Sequence, residues 1–135
     1  MRRNQPEANL QKACIKWFRL QYPQILIFAI PNEGRHSIQY RVHQARMGVV
    51  SGIPDLFIAH PRYDLVDYGF RDGGQQKIYT HGMFIEMKSK DGTVKKNQKT
   101  IMSKLKSEGF YCAVCRTIDE FVGEVRNYLK GENHG

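Results

Sequence analysis

Two short runs limit what this chain can fold into: Ile53-Pro54-Asp55-Leu56-Phe57-Ile58-Ala59 and Gly82-Met83-Phe84-Ile85-Glu86-Met87-Lys88. Each reads as a buried strand, and each carries charge where a core strand should have none. Strand side chains alternate between faces, so Phe84, Glu86 and Lys88 share one side while Met83, Ile85 and Met87 take the other. A carboxylate and an ammonium on one face, joined by Asp55 from a neighbouring strand, would make a set of hard oxygen donors with a lysine beside it. Such a set suits a divalent cation.

Around these runs the chain punctuates itself clearly. A first helix starts near Pro6, carries Leu10, Cys14, Trp17 and Phe18 at helical spacing, and stops at Pro23. Glu7 tops that apolar stripe and can look inward, although a first-turn glutamate also gains from the helix dipole alone. Ile25 to Ile30 reads as a buried strand ended by Pro31, and a polar loop follows, Asn32 to Ser37. Ile38 to Met47 reads as a helix stopped by Gly48. Pro54 pushes Ile53 into extended geometry and launches the strand of Asp55. Val94 to Glu108 reads as a helix ended by Gly109, Phe110 to Cys115 as a strand, and Thr117 with Glu120 as the capping box of a last helix. That helix turns Ile118, Phe121, Val122, Val125 and Leu129 inward.

Residues 60–82 are a long insert, a loop or a hairpin, with Tyr63, Leu65, Val66, Tyr68 and Phe70 as an apolar surface that either meets a partner or folds back on its own sheet edge, and Gly73-Gly74 as a turn. The order is helix, strand, helix, strand, strand, helix, strand, helix. An α/β fold with a single mixed sheet flanked by helices fits it best, in one domain of 135 residues.

The formal net charge is +8, unevenly spread. Residues 1–50 hold 8 Lys/Arg against 2 Asp/Glu, residues 51–90 hold 5 against 5, and residues 91–135 hold 8 against 6. Lys95, Lys96, Lys99, Lys104 and Lys106 lie in one segment with no acid before Glu108. A polyanionic partner is the natural inference, weighed against a merely solvated helix face. The longest apolar run is far too short to cross a membrane, and the N-terminus lacks the apolar stretch of a signal peptide. An intracellular, cytoplasmic location is the expectation. Cys14, Cys112 and Cys115 are odd in number and read as reduced thiols, with Cys112 and Cys115 on opposite faces of a strand.

Asp55 and Glu86 are the leading candidates for a site because each interrupts an apolar strand, and burying a lone carboxylate is costly. Lys88 can orient an attacking water or hold a transition-state phosphate, against the plainer reading of a salt bridge to Glu86. The spacing Pro54-Asp55, then Glu86-Met87-Lys88 31 positions after Asp55, is that of the PD-(D/E)XK nuclease superfamily. With Glu7, Pro31-Asn32-Glu33-Gly34-Arg35, Gly48-Val49-Val50-Ser51-Gly52 and Gln98, the chain resembles the virus-type replication-repair nuclease (VRR-NUC) domain. The likeness runs from the first helix to the last strand, in the manner of the stand-alone form found in phages and prophages.

The resemblance implies a restriction-endonuclease-like core and a Mg²⁺ or Mn²⁺ site formed by Asp55 and Glu86, assisted by Glu7 and the Met87 carbonyl. It makes Lys88 the catalytic lysine and Gln98 a helper near the scissile phosphate. Asn32 and Arg35 become phosphate contacts, and Lys95, Lys96 and Lys99 are expected to add to them. The activity implied is a metal-dependent, structure-specific DNA endonuclease, one that resolves Holliday junctions or cuts flaps. A non-catalytic DNA-binding or assembly module of the same fold and an RNA-directed nuclease are the alternatives. Paired cuts across a symmetric junction need two sites, and residues 60–82 have apolar side chains to spare, so a homodimer is expected.

Overall fold

Pro6 and Pro23 bracket the first element in the computed structural model, which describes residues 5–31, 37–67 and 75–130. Helix α1 spans Gln5–Gln21 and lays Cys14 and Phe18, both fully buried, on the sheet. Strand β1 follows at Ile27–Ala29, helix α2 at Ile38–Arg46, strand β2 at Leu56–Ile58, and strands β3 and β4 at Arg62–Asp67 and Gln75–Thr80. Strand β5 spans Met83–Met87, helix α3 Lys96–Ser107, strand β6 Tyr111–Cys115 and helix α4 Ile118–Tyr128.

The main sheet has the order β1-β2-β5-β6 and is mixed: β1, β2 and β5 pair antiparallel, whereas β6 runs parallel to β5. One face is the core. Leu56, Ile58, Met83, Ile85, Met87 and Cys115 are fully buried there against Cys14 and Phe18 of α1 and Phe121 and Val125 of α4. Trp17 meets Phe121 edge-on at 6.0 Å, which ties the two helices together. The other face is covered by α3 on the β6 side, where the Cys112 thiol reaches the Met102 carbonyl at 3.7 Å.

Two expectations change. The run Ile25 to Ile30 is not a buried strand but a three-residue edge strand, with Ile27 buried and Leu26 61% and Phe28 40% exposed. Edge position explains it, because an edge strand has only one neighbour and its outer side chains lose the shelter of a second. Of the two readings of residues 60–82 the hairpin is the one seen, β3 with β4, and because it forms its own two-stranded sheet the element order gains two strands and the sheet is not single. This hairpin is anchored at its base: Tyr128 Oη donates to the His60 carbonyl at 2.8 Å and Arg62 to the Asn127 carbonyl at 3.2 Å. Among the described residues no helix is long and apolar enough to cross a membrane.

Candidate active site

The antiparallel register of β2 and β5 builds the site. Leu56 pairs with Ile85, so one step further Asp55 stands opposite Glu86, with both side chains on the face away from the core. Asp55 and Glu86 are 5% and 3% exposed, and Lys88, two residues on and on the same face, is 7% exposed. Pro54, buried just before Asp55, fixes the entry into β2.

Hydrogen bonds fix both acids. Asp55 Oδ2 accepts the Met87 N–H at 2.8 Å. Glu86 Oε1 accepts from Gln98 Nε2 at 3.0 Å and faces Lys88 Nζ at 3.6 Å. Glu86 Oε2 is buried and accepts no hydrogen bond; among the described residues only Gln44 Oε1 shares that condition. The Glu86 carboxyl is pushed up to about 8, first by burial and then by the adjacent Asp55 carboxylate, with Lys88 opposing and the charge of Glu7 adding to the rise. A buried pair of acids that resists a second negative charge, with an oxygen aimed at nothing, fits a divalent cation.

Gln98 enters from the start of α3. Its Oε1 accepts the Lys95 N–H at 2.8 Å, so the same amide caps the helix and grips Glu86. The loop before Asp55 steadies that helix end: Asn97 Nδ2 donates to Ser51 Oγ at 2.9 Å, and a Cβ on Gly52 (φ +90°) would lie 2.9 Å from the Asn97 carbonyl oxygen. Beyond Lys88, Arg116 Nη1 donates to the carbonyls of Ser89 at 2.9 Å and Gly92 at 2.6 Å, closing the turn that follows the lysine. Sequence reasoning passed over Arg116 and Asn97, because the partners through which they brace the site lie 24 or more residues away.

Asp55, Glu86, Met87, Lys88 and Gln98 thus converge from β2, β5 and α3. Glu7, half-buried on α1, acts on Glu86 through its charge. It does not complete a cluster, because no three His, Cys, Asp or Glu side chains among the described residues gather closely enough to hold a metal ion. Lys95, Lys96 and Lys99 are exposed around the start of α3. Asn32 and Arg35 lie outside the described residues. The cysteines stay away from the site: all three are free thiols, and burial pushes Cys14 and Cys115 up to about 12.

Comparison with known proteins bears on the family and the fold. Residues 5–118 match the model of the VRR-NUC domain. A solved structure described as a VRR-NUC domain protein superposes with a TM-score of 0.67, over 92% of this chain and 88% of its own, at 24% sequence identity. That likeness is one of fold. No curated protein matches the chain.

Proposed function

The chain belongs to the VRR-NUC domain family, and on that premise we propose that it is a metal-dependent, structure-specific DNA endonuclease. One observation carries the reading: two buried acids stand opposite each other across β2 and β5, and an oxygen of Glu86 is left without a hydrogen bond. Mg²⁺ or Mn²⁺ would be held by Asp55 and Glu86, with the Met87 carbonyl as a further donor and Glu7 adding its negative charge nearby. When bound it would supply Lewis acidity toward the phosphate and lower the pKa of water.

The chain's own residues do the rest. Lys88, held beside Glu86, places a positive charge where the phosphate gathers negative charge during attack. Burial of Asp55, Glu86 and Lys88 keeps bulk water from screening that charge. Gln98 fixes the Glu86 carboxylate through Oε1 and leaves Oε2 facing the site. Exposed Lys95, Lys96 and Lys99 attract the DNA backbone to the same end of α3. A homodimer would present two such sites to a symmetric branched substrate, and such an enzyme would work in the cytoplasm.

The test is cleavage of labelled branched and linear DNAs by the pure protein with Mg²⁺, Mn²⁺ or chelator. Metal-dependent cuts leaving 5′-phosphate ends are expected from the wild type. Asp55→Ala, Glu86→Ala and Lys88→Ala should lose cutting and keep DNA binding. Wild-type cutting by Glu86→Ala would show the site to be misassigned, and matching RNA substrates separate a DNA enzyme from an RNA-directed one.

A further inference from the structure

Lys88 and Gln98 close on one atom, Glu86 Oε1, with Lys88 Nζ at 3.6 Å and Gln98 Nε2 at 3.0 Å. They stand at opposite ends of the stretch of chain that leaves β5 and enters α3. None of residues 89 to 95 is buried. A segment without buried apolar side chains keeps its place through polar contacts, and such segments are the first parts of a fold to open. Two residues that meet on one oxygen are thus joined by a path with no core anchor of its own.

Arg116 supplies the anchor. Its Nη1 donates to the carbonyls of Gly92 at 2.6 Å, Ser89 at 2.9 Å and Lys90 at 3.4 Å. The Gly92 N–H turns back to the Ser89 carbonyl at 3.1 Å, so the guanidinium gathers a turn already folded on itself. The arm behind it is fixed on both sides. Because β6 runs parallel to β5 with Met87 opposite Cys115, Arg116 emerges beside Lys88, whose N–H donates to the carbonyl of the fully buried Cys115 at 3.0 Å. The Arg116 N–H donates to Glu120 Oε1 at 2.8 Å and the Glu120 N–H to Thr117 Oγ1 at 3.1 Å, which ties the residue into the first turn of α4. The base of the arm belongs to the core; its tip holds the turn after Lys88.

We propose that Arg116 is a positioning residue for the site: by clasping residues 89 to 92 it keeps Lys88 and Gln98 together on Glu86 Oε1 and so keeps Oε2 open. It acts through those residues and touches neither substrate nor metal. A lysine in its place would keep the charge but lose the planar set of donors that reaches several carbonyls at once. The effect on cutting rests on the nuclease reading; the clasp does not.

Amide hydrogen exchange on the metal-free protein reads the clasp. In Arg116→Gln the hydrogen-bonded amides of Gly92 and Lys95 should exchange at least about tenfold faster than in the wild type, while those of α1 and β2 keep their rates. Single-turnover cleavage in Mg²⁺ reads the consequence. Arg116→Gln, Arg116→Ala and Arg116→Lys should each cut about tenfold to 100-fold more slowly, the range for a group that orients a site ligand. Guanidinium chloride at a non-denaturing concentration should restore part of the rate of Arg116→Ala, where the same concentration of sodium chloride restores none. DNA affinity in chelator, and its slope against salt, should match the wild type in all three. Wild-type cutting by Arg116→Gln, unchanged exchange at Gly92 and Lys95, or no rescue by guanidinium would overturn the proposal. So would weaker DNA binding in chelator with a salt slope reduced by about one, since Arg116 would then be a phosphate contact itself. Failure of all three variants to fold would also overturn it, by making Arg116 a residue of the fold alone. Absence of cutting by the wild type on every DNA and RNA would count against the nuclease reading only, and the exchange rates would still decide the clasp.

Discussion

Gln98 holds Glu86 by one oxygen and leaves the other bare. Its Nε2 donates to Oε1 at 3.0 Å, its own Oε1 is pinned by the Lys95 N–H at 2.8 Å, and Glu86 Oε2 is buried with no donor. The start of α3 and the acid on β5 are one hydrogen-bonded unit. A group that orients a site acid in this way normally matters about tenfold to 100-fold in metal affinity or activity. Gln98→Ala should lower cleavage by that amount while Asp55 and Lys88 stay in place. Gln98→Glu should do worse, because it sets another carboxylate against Glu86. Cleavage by Gln98→Ala at the wild-type rate would reduce the residue to a helix cap.

The raised Glu86 carboxyl has a pH signature of its own. Between its ordinary 4.5 and its folded value of about 8, the folded protein binds more protons than the unfolded chain. Stability of the metal-free protein should therefore fall as pH rises through that window. Glu86→Gln should flatten the fall, and Mg²⁺ should raise the melting temperature more near pH 8 than near pH 5, where binding must displace a proton. Melting curves across the window decide it; identical profiles for wild type and Glu86→Gln would refute the assignment.

Lys95, Lys96 and Lys99 should contribute affinity without sequence preference. Each one that neutralises a phosphate should, on substitution by glutamine, reduce the slope of log affinity against log salt by about one. Anisotropy at several salt concentrations measures this, and an unchanged slope would leave them a solvated face.

Gly52 has both a left-handed backbone and a neighbour in the way. With φ at +90° and the Asn97 carbonyl 2.9 Å from where a Cβ would sit, Gly52→Ala should cost about 1–2 kcal/mol from the backbone alone. It should also push α3 off Glu86 and cut activity more than stability. Urea titration and cleavage assays on one preparation would separate the two effects.

The expected homodimer is tested by sedimentation. The wild type should be dimeric at micromolar concentration, and Leu65→Asp with Tyr68→Asp should dissociate it if residues 60–82 form the contact. A monomeric wild type removes the dimer, whereas a dimeric double variant removes only that location.

Much of this molecule could be read before it was seen. The faces of the Glu86 strand follow from alternation alone, and Met83, Ile85 and Met87 do line the core. Pro and Gly marked the helix ends closely, as with Gly48 and Gly109, both at positive φ. What stayed hidden depends on pairing. Phe28 looked buried because its run is apolar, yet exposure was decided by β1 having one neighbour. Residues 62–67 and 75–80 lack a clean period, and their strand pairing is a property of the two together. The convergence of Asn97 on Ser51 and of Arg116 on the turn after Lys88 joins distant segments that no local pattern relates. Asp55 and Glu86 stood out as charges in apolar strands, but the register that sets them opposite each other depends on β2 lying next to β5 in space.

That register also frees part of the chain from the site. The hairpin of β3 and β4 leaves β2 at its far end and rejoins β5 at its start, while the acids occupy the opposite ends of those two strands. Anything inserted between Ile58 and Met83 is therefore carried like a branch on a trunk. Its length and sequence can drift, or be exchanged for another module, with the spacing of Asp55 and Glu86 untouched. A fold arranged this way can acquire new recognition elements by splicing at a single seam while its chemistry is inherited unchanged.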